Sequence, residues 1–293
     1  MLYDIRVRIA YQYETLAAAG RHILRLTPAA LPREQAVLAS SLDIHPEPRE
    51  RSGFIDFFGN QAIEAAISTP HMRFEALLHA RVERLILPPP QDASPSLAEL
   101  RADIANYAAF DLWAPHHYLA DSPLVAVQDV MTDYARAQLA PDMSIFQAAN
   151  AIARALHRDM QFDPDATTVE TPPLEAFTRR RGVCQDFTHI MIACLRGLGV
   201  PAAYVSGFLR TIPAPGQARL DGADAMHAWT RVWCGSSMGW IEFDPTNAIL
   251  VAADHVVAAR GRDYSDVAPI KGVLRAGGSQ DSLQSVDVVA LDQ

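Results

Sequence analysis

The sequence predicts an α+β protein: an N-terminal antiparallel β-sandwich, then a cysteine-bearing helix packed on an antiparallel sheet. Three observations predict it. Tyr3, Ile5, Val7, Ile9, Tyr11 and Tyr13 alternate with Asp4, Arg6, Arg8 and Gln12, the period-two pattern of a half-buried strand. After Cys184 the period becomes helical. Phe187, Ile190, Met191, Cys194, Leu195 and Leu198 fall mainly on one face, and Gly199 and Pro201 stop the run. Beyond that helix the strand period returns over residues 203–209, 227–233 and 238–244.

The first 87 residues hold the sandwich strands. A second strand at 22–26 is stopped by Thr27-Pro28, and a third is expected over 35–42. Pro46 and Pro48 mark a turn. A short aromatic strand at 54–58 runs into Gly59-Asn60, a strong turn signal, and strands over 62–69 and 72–87 complete the set. Pro88-Pro89-Pro90 is stiff and extended and makes a natural boundary.

Residues 88–143 read as a helical linker region. Ser96 caps a helix with Glu99 as its capping-box partner. The stretch 107–120 is irregular, and its adjacent His116 and His117 point in different directions, which makes a poor metal pair. A helix is expected over 123–137 and another over 144–160, the second with Ile145, Ala148, Ala149, Ile152, Leu156 and Met160 along one stripe. Residues 144–293 then form the core. In it a short helix near 171–177 leads to Arg179-Arg180-Arg181, a run that is either solvated and paired or fixes the loop that presents Cys184. Residues 213–224, rich in Pro, Gly and Asp, read as a loop. Strands at 270–274 and 286–291, joined at Gly277-Gly278, are expected to close the chain as a β-hairpin.

Composition bounds the function. The chain has 293 residues, 49% of them apolar, enough for one large or two medium domains with a sizeable core. A net charge of −9 argues against a nucleic-acid partner, which needs a basic face. No window reaches the roughly 18 apolar residues that span a bilayer, and Met1-Leu2-Tyr3-Asp4-Ile5-Arg6 has no signal-peptide pattern. Three cysteines, Cys184, Cys194 and Cys234, are an odd number with no secretion signal, so a disulfide framework is not expected. The expected setting is a reducing cytoplasm, with no membrane partner.

The chemistry centres on Arg180-Arg181-Gly182-Val183-Cys184-Gln185-Asp186-Phe187. Cys184 sits in the first turn of its helix, where unpaired N–H groups and the helix dipole favour a thiolate. The plain alternative is a small buried hydrophobe. A cysteine nucleophile needs a base and a group to orient that base. His227 begins one strand and Asp244 ends the next, before Pro245. If the two strands pair around Ser236, His227 lies nine residues before the turn and Asp244 eight after it, so their side chains become cross-strand neighbours. Asp244 before Pro245 is equally a turn former. His189 is nearer in sequence but lies on a different helix face from Cys184. A zinc site from the three cysteines and a histidine fits no ligand spacing, so no metal is expected.

These segments carry a resemblance. The Cys184 stretch, Asp224-Ala225-Met226-His227-Ala228-Trp229 and Gly239-Trp240-Ile241-Glu242-Phe243-Asp244-Pro245-Thr246-Asn247 resemble, in order and spacing, the three motifs of the bacterial transglutaminase-like family. Residues 1–87 are similar to its β-rich N-terminal region. The resemblance implies a papain-like α+β catalytic core, with Cys184 as nucleophile, His227 as base and Asp244 as orienting acid. Gln185 and Trp229, flanking the motif residues, are expected to touch the substrate. Met226 departs from the small residue that relatives often have before the histidine. The implied reaction is acyl transfer at an amide of a peptide or protein through a thioester, without a cofactor. Hydrolysis is favoured, because water needs no dedicated pocket; a protein-glutamine amine transferase and a non-catalytic peptide-binding protein are the alternatives.

Overall fold

The strands expected in the N-terminal third form around an apolar side, except that the one expected over 54–58 lies at 50–55 and is exposed along its whole length. A computed structural model describes residues 1–211, 222, 224–275 and 277–291. It opens with β1 (Leu2–Ala17), β2 (Gly20–Leu24), β3 (Gln35–His45), β4 (Glu50–Ile55), β5 (Gln61–Ile67) and β6 (His71–Arg84). Then come α1 (Leu97–Asn106), α2 (Asp129–Arg136), α3 (Ile145–Asp159), β7 (Gln161–Phe162), α4 (Pro173–Arg179), β8 (Arg181–Gly182) and α5 (Cys184–Gly197). The chain continues through β9 (Ala202–Leu209), β10 (Ala225–Trp233), β11 (Trp240–Asp244), β12 (Ile249–Leu250), β13 (His255–Gly261), α6 (Tyr264–Val267), β14 (Ile270–Leu274) and β15 (Gln280–Leu291). Apart from Gly222 and Asp224, the loop expected over 213–224 lies outside the described residues.

Two four-stranded antiparallel sheets make the sandwich, in the orders β15-β1-β6-β3 and β14-β2-β5-β4. Tyr3, Ile5, Val7 and Ile9 of β1 point inward at 5% exposure or less and meet Leu24, Ile67 and Phe74 between the sheets. This is the alternation read from the sequence.

The expected C-terminal hairpin does not form. β14 pairs with β2, and β15 pairs with β1 over twelve residues, from Leu2 opposite Leu291 to Tyr13 opposite Gln280. The two strands thus belong to different sheets of the sandwich, not to the core. A long partner with an open edge offers more ladder bonds than a five-residue hairpin, and covering that edge removes unpaired backbone groups.

The core is an α+β unit. Its antiparallel sheet has the order β12-β11-β10-β9-β13. Helix α5 packs on it through Ile190, Met191, Cys194 and Leu195, which share one apolar cluster with Ala202, Tyr204, Ala228 and Val232. Helix α3 adds Ile145, Ala149, Ile152 and Leu156 to the same cluster. Ser144 caps α3 by accepting from the Gln147 N–H at 3.2 Å, and the Glu99 carboxylate reaches back to the Ser96 N–H at 2.9 Å at the start of α1. The helix expected over 123–137 begins late, at Asp129. Residues 122–127 are claimed by other bonds: Ser122 and Val125 exchange backbone bonds, and the Asp263 and Asp121 carboxylates accept from the Leu124 and Val127 N–H groups.

The edge strand β13 is covered by two side-chain carboxamides of the sandwich. Gln35 accepts from the Val257 N–H at 2.9 Å and donates to the Val257 carbonyl at 2.8 Å. Asn60 does the same to Arg260, both bonds at 2.8 Å. Each amide stands in for a neighbouring strand, and both residues are under 5% exposed.

Candidate active site

Cys184 is presented by three local devices. Strand β8 pairs in parallel with β7, which pins residues 181–182 beside Gln161 and Phe162. Arg180, at φ 55°, takes the left-handed turn that ends α4, and its guanidinium lies 4.0 Å from the Phe177 ring and 4.9 Å from that of Tyr134. Arg179 and Arg181 pair instead with Glu175 and Asp163 at the surface. Finally, the buried Asp186 carboxylate accepts from the Val183 N–H at 2.8 Å and from the Thr167 hydroxyl at 2.6 Å. It caps the helix and ties the 163–171 loop to it. Burial raises the Asp186 pKa, against the pull of those two bonds. Gly182 is required here, because a Cβ on it would lie 2.4 Å from an Asp186 oxygen.

The Cys184 thiol is half-buried, whereas Cys194 and Cys234 are fully buried and all three are free. As the first residue of α5, Cys184 has an N–H with no intrahelical acceptor. Its side chain acts on His227, whose pKa it raises.

His227 and Asp244 come together, but the hairpin register is one residue away from a turn centred on Ser236, and the contact is diagonal. β10 and β11 pair antiparallel, and His227 Nε2 lies 2.7 Å from Asp244 Oδ2, with the two residues 7% and 0% exposed. Nε2 is thus engaged by the carboxylate, which leaves Nδ1 for the thiol. Burial opposes charging of His227, but bonds to Asp244 and Cys184 and their negative charge prevail and push its pKa up to about 10. Burial likewise opposes charging of Asp244, and the His227 and His255 bonds overcome it and hold the carboxyl far below its usual range. Asp244 is also the turn former that its place before Pro245 suggests: its Oδ1 accepts from the Thr246 and Asn247 N–H groups at 2.9 and 3.1 Å, and its Oδ2 from Asn247 Nδ2 at 2.7 Å.

The two residues expected to touch the substrate are both buried. Trp229 is 0% exposed and is buried with Val205 and Val257. Its indole N–H donates to Glu242 at 2.8 Å, and its ring lies 6.1 Å from His227 and 5.1 Å from His255. It backs the histidine and does not face a cleft. Gln185 is 8% exposed and donates to the Val169 carbonyl at 3.1 Å, so it holds the rim loop. His189 is engaged by other partners. It accepts from the Tyr264 N–H at 3.1 Å and lies beside the Tyr204 ring, and burial lowers its pKa to about 4. Met226 packs against the sandwich core.

The sequence reading missed His255 and Glu242. His255 opens β13, 1% exposed, with Nε2 3.1 Å from Asp244 Oδ2. Glu242 accepts from Trp229 and Arg260 and is paired with Arg231. Burial opposes its charging, and Arg260 and Arg231 overcome this and bring its pKa down to about 2. Alternation along β11 could have flagged Glu242 as an inward charge; nothing local flags His255.

Among the described residues, one trio could share an ion: His227, Asp244 and His255, with ligand atoms within 4.8 Å of one another. Those atoms are already joined at hydrogen-bond distances, so the trio reads as an imidazole–carboxylate–imidazole chain. Neither Cys194 nor Cys234 joins such a group. Cys194 instead donates to the Met131 carbonyl.

Residues 132–245 match the transglutaminase-like superfamily, and residues 3–83 match the bacterial transglutaminase-like N-terminal region. An uncharacterized protein of Mycobacterium tuberculosis (strain ATCC 25618 / H37Rv) is 32% identical over 99% of this chain and 93% of its own length. An uncharacterized protein of Mycobacterium leprae (strain TN) is 29% identical over 96% of each chain. In fold, the chain is similar to the crystal structure of a "Putative Cysteine Protease" from Cytophaga hutchinsonii, with TM-score 0.76 at 22% identity over 100% of this chain and 91% of the other.

Proposed function

The chain belongs to the transglutaminase-like superfamily, and from that premise we propose that it is a cysteine-dependent amide hydrolase acting on peptides or proteins. The observation that carries the reading is the 2.7 Å His227–Asp244 bond beside a thiol at a helix N-terminus. In this mechanism Cys184 Sγ attacks the amide carbonyl carbon. The Cys184 N–H donates one hydrogen bond to the developing oxyanion. His227 gives its Nδ1 proton to the leaving amine, and a thioester remains. Water then attacks the thioester, His227 takes its proton, and the carboxylate leaves as the thiol re-forms. Asp244 fixes the imidazole and stabilises its charged form throughout. The half-buried thiol supports water as the acceptor, since solvent reaches it without a second pocket.

The test is a screen of glutaminyl and backbone-amide peptides, with and without a primary amine, on the wild type and on Cys184→Ala. Release of free acid or cleaved peptide, lost in Cys184→Ala, supports the hydrolase. Amine incorporation in place of acid makes the protein an amine transferase. If no substrate yields a thioester on Cys184 in mass spectrometry, acyl transfer itself is refuted and a peptide-binding role takes its place.

A further inference from the structure

The proposed mechanism uses one of the two imidazoles on Asp244. The other, His255, is 1% exposed, and a carboxylate can only accept, so its proton sits on Nε2. Its Nδ1 is buried with no hydrogen-bond partner. A buried polar atom left unsatisfied costs stability. An apolar side chain would fill the same space without that cost, so the space alone does not explain a histidine there. What the imidazole adds is one N–H, aimed at the oxygen that His227 also meets.

The direction of that N–H is set from outside the core. The Trp229 ring meets His255 edge-on at 5.1 Å and 79°. The strand that carries His255 is clamped by Gln35 two residues on, at Val257, and by Asn60 at Arg260. Both clamps come from the sandwich. The sandwich therefore touches the strand that carries His255, as well as Met226 beside His227.

We propose that His255 is a positioning residue for acyl transfer: its Nε2–H holds the Asp244 carboxylate turned toward His227, and the sandwich holds His255 through Gln35. This rests on the acyl-transfer reading of Cys184. Without the His255 donor, Asp244 stays anchored by the Thr246 and Asn247 N–H groups and by Asn247 Nδ2, all on the Asn247 side, and the balance of donors on the carboxylate shifts away from His227. The His227–Asp244 bond then loses its alignment, and Cys184 loses reactivity at low pH.

The experiment compares the full chain with His255→Leu, which fills the space without a donor, His255→Phe, which keeps a planar ring, and His255→Gln, which keeps an N–H. Iodoacetamide labelling of Cys184 is followed from pH 5 to 9, beside thermal unfolding. In the donor-free variants the rate at pH 6 is expected to fall at least about tenfold, one pKa unit of lost charge stabilisation. His255→Gln is expected to keep the wild-type profile. The proposal is overturned if a folded donor-free variant keeps the wild-type profile, or if His255→Gln falls as far as His255→Leu. It is equally overturned if both donor-free variants unfold while His255→Gln folds, since the role is then structural. A wild type with no fast labelling at low pH refutes the parent acyl-transfer reading, a result read before any variant is compared.

Discussion

His227 meets Asp244 diagonally across the hairpin. The register sets Thr230 against Phe243, so Trp229 stands opposite Asp244 and His227 lies one pleat further along. The imidazole closes the gap to 2.7 Å because diagonal neighbours are within reach of a long side chain. The bond is therefore directional and has no slack. Asp244→Asn is expected to lower kcat about 10³–10⁴-fold, as loss of a triad carboxylate does elsewhere. Circular dichroism checks that the fold survives, and a fall under tenfold would remove Asp244 from the mechanism.

Native labelling should be limited to one thiol. Cys194 and Cys234 are fully buried, and burial pushes both of their pKa values up to about 12. Iodoacetamide is expected to add one equivalent to the folded protein, none to folded Cys184→Ala, and three to the denatured wild type. Intact-mass measurement reads all three numbers.

Gly207 lies opposite His227 in β9, and a Cβ there would stand 2.1 Å from the Val256 carbonyl and 2.6 Å from the Trp229 ring. A glycine inside a strand here marks close approach of backbone and indole. Gly207→Ala is expected to cost about 1–3 kcal/mol, the usual range for overpacking, and to disturb His227 through Trp229. Urea midpoints measure the first effect and Cys184 labelling the second.

Glu242 is the shared anion of Arg231, Arg260 and the Trp229 indole. Arg231 and Arg260 also lie 4.8 and 5.7 Å from the Trp113 ring. Glu242→Gln removes the charge and leaves the buried Arg231 facing a neutral amide, while Arg260 keeps Glu34 at 2.8 Å. A loss of about 3–5 kcal/mol is expected, the range for breaking a buried pair from one side. Replacing all three charged residues with apolar ones should cost less than the single change, a comparison that urea unfolding can make.

Acid and alkali should weaken the fold through different histidines. Burial lowers the pKa of His22 to about 4, with His71 adding to the effect, and burial lowers that of His189 to about 4. The unfolded chain takes up these protons as pH falls through about 6.5, before the folded chain does. Their contribution is therefore full above pH 6.5 and lost between 6.5 and 4, on the order of 3 kcal/mol each. His227 runs the other way: its raised value gives stability that is full below 6.5 and lost as pH rises toward 10. Urea midpoints at pH 4.5, 6.5 and 9 are expected to peak in the middle, and His22→Phe should flatten the acid side.

The parts of this design legible in the sequence are those governed by local pattern. Alternation in residues 3–13 predicts β1 and its inward face, and the helix after Cys184 follows from its apolar stripe and its Gly-Val-Pro stop. The Cys184–His227–Asp244 grouping was within reach because two of its members share one hairpin, whose turn fixes their separation. Non-local choices were not legible. Residues 270–274 carry no mark of pairing with β2 in preference to their neighbour in sequence, since that depends on an edge left open 250 residues earlier. His255 has no motif around it; only the folded sheet brings it to Asp244. Trp229 read as a substrate contact because it follows the histidine by two, and alternation along β10 instead buries it behind the site.

The pairing of β15 with β1 has a consequence in time. The sandwich holds the first and last strands of the fold, with the core threaded between them. During translation, β1 and β2 are made early but lack their outer neighbours until residues 270–291 have left the ribosome. For most of synthesis their edges stand open, and a nascent chain in that condition is a target for chaperones. The sandwich also supplies the Gln35 and Asn60 amides that cover β13. Those amides have nothing to cover until residues 255–261 are made, so the strand that brings His255 to Asp244 is also braced late in synthesis.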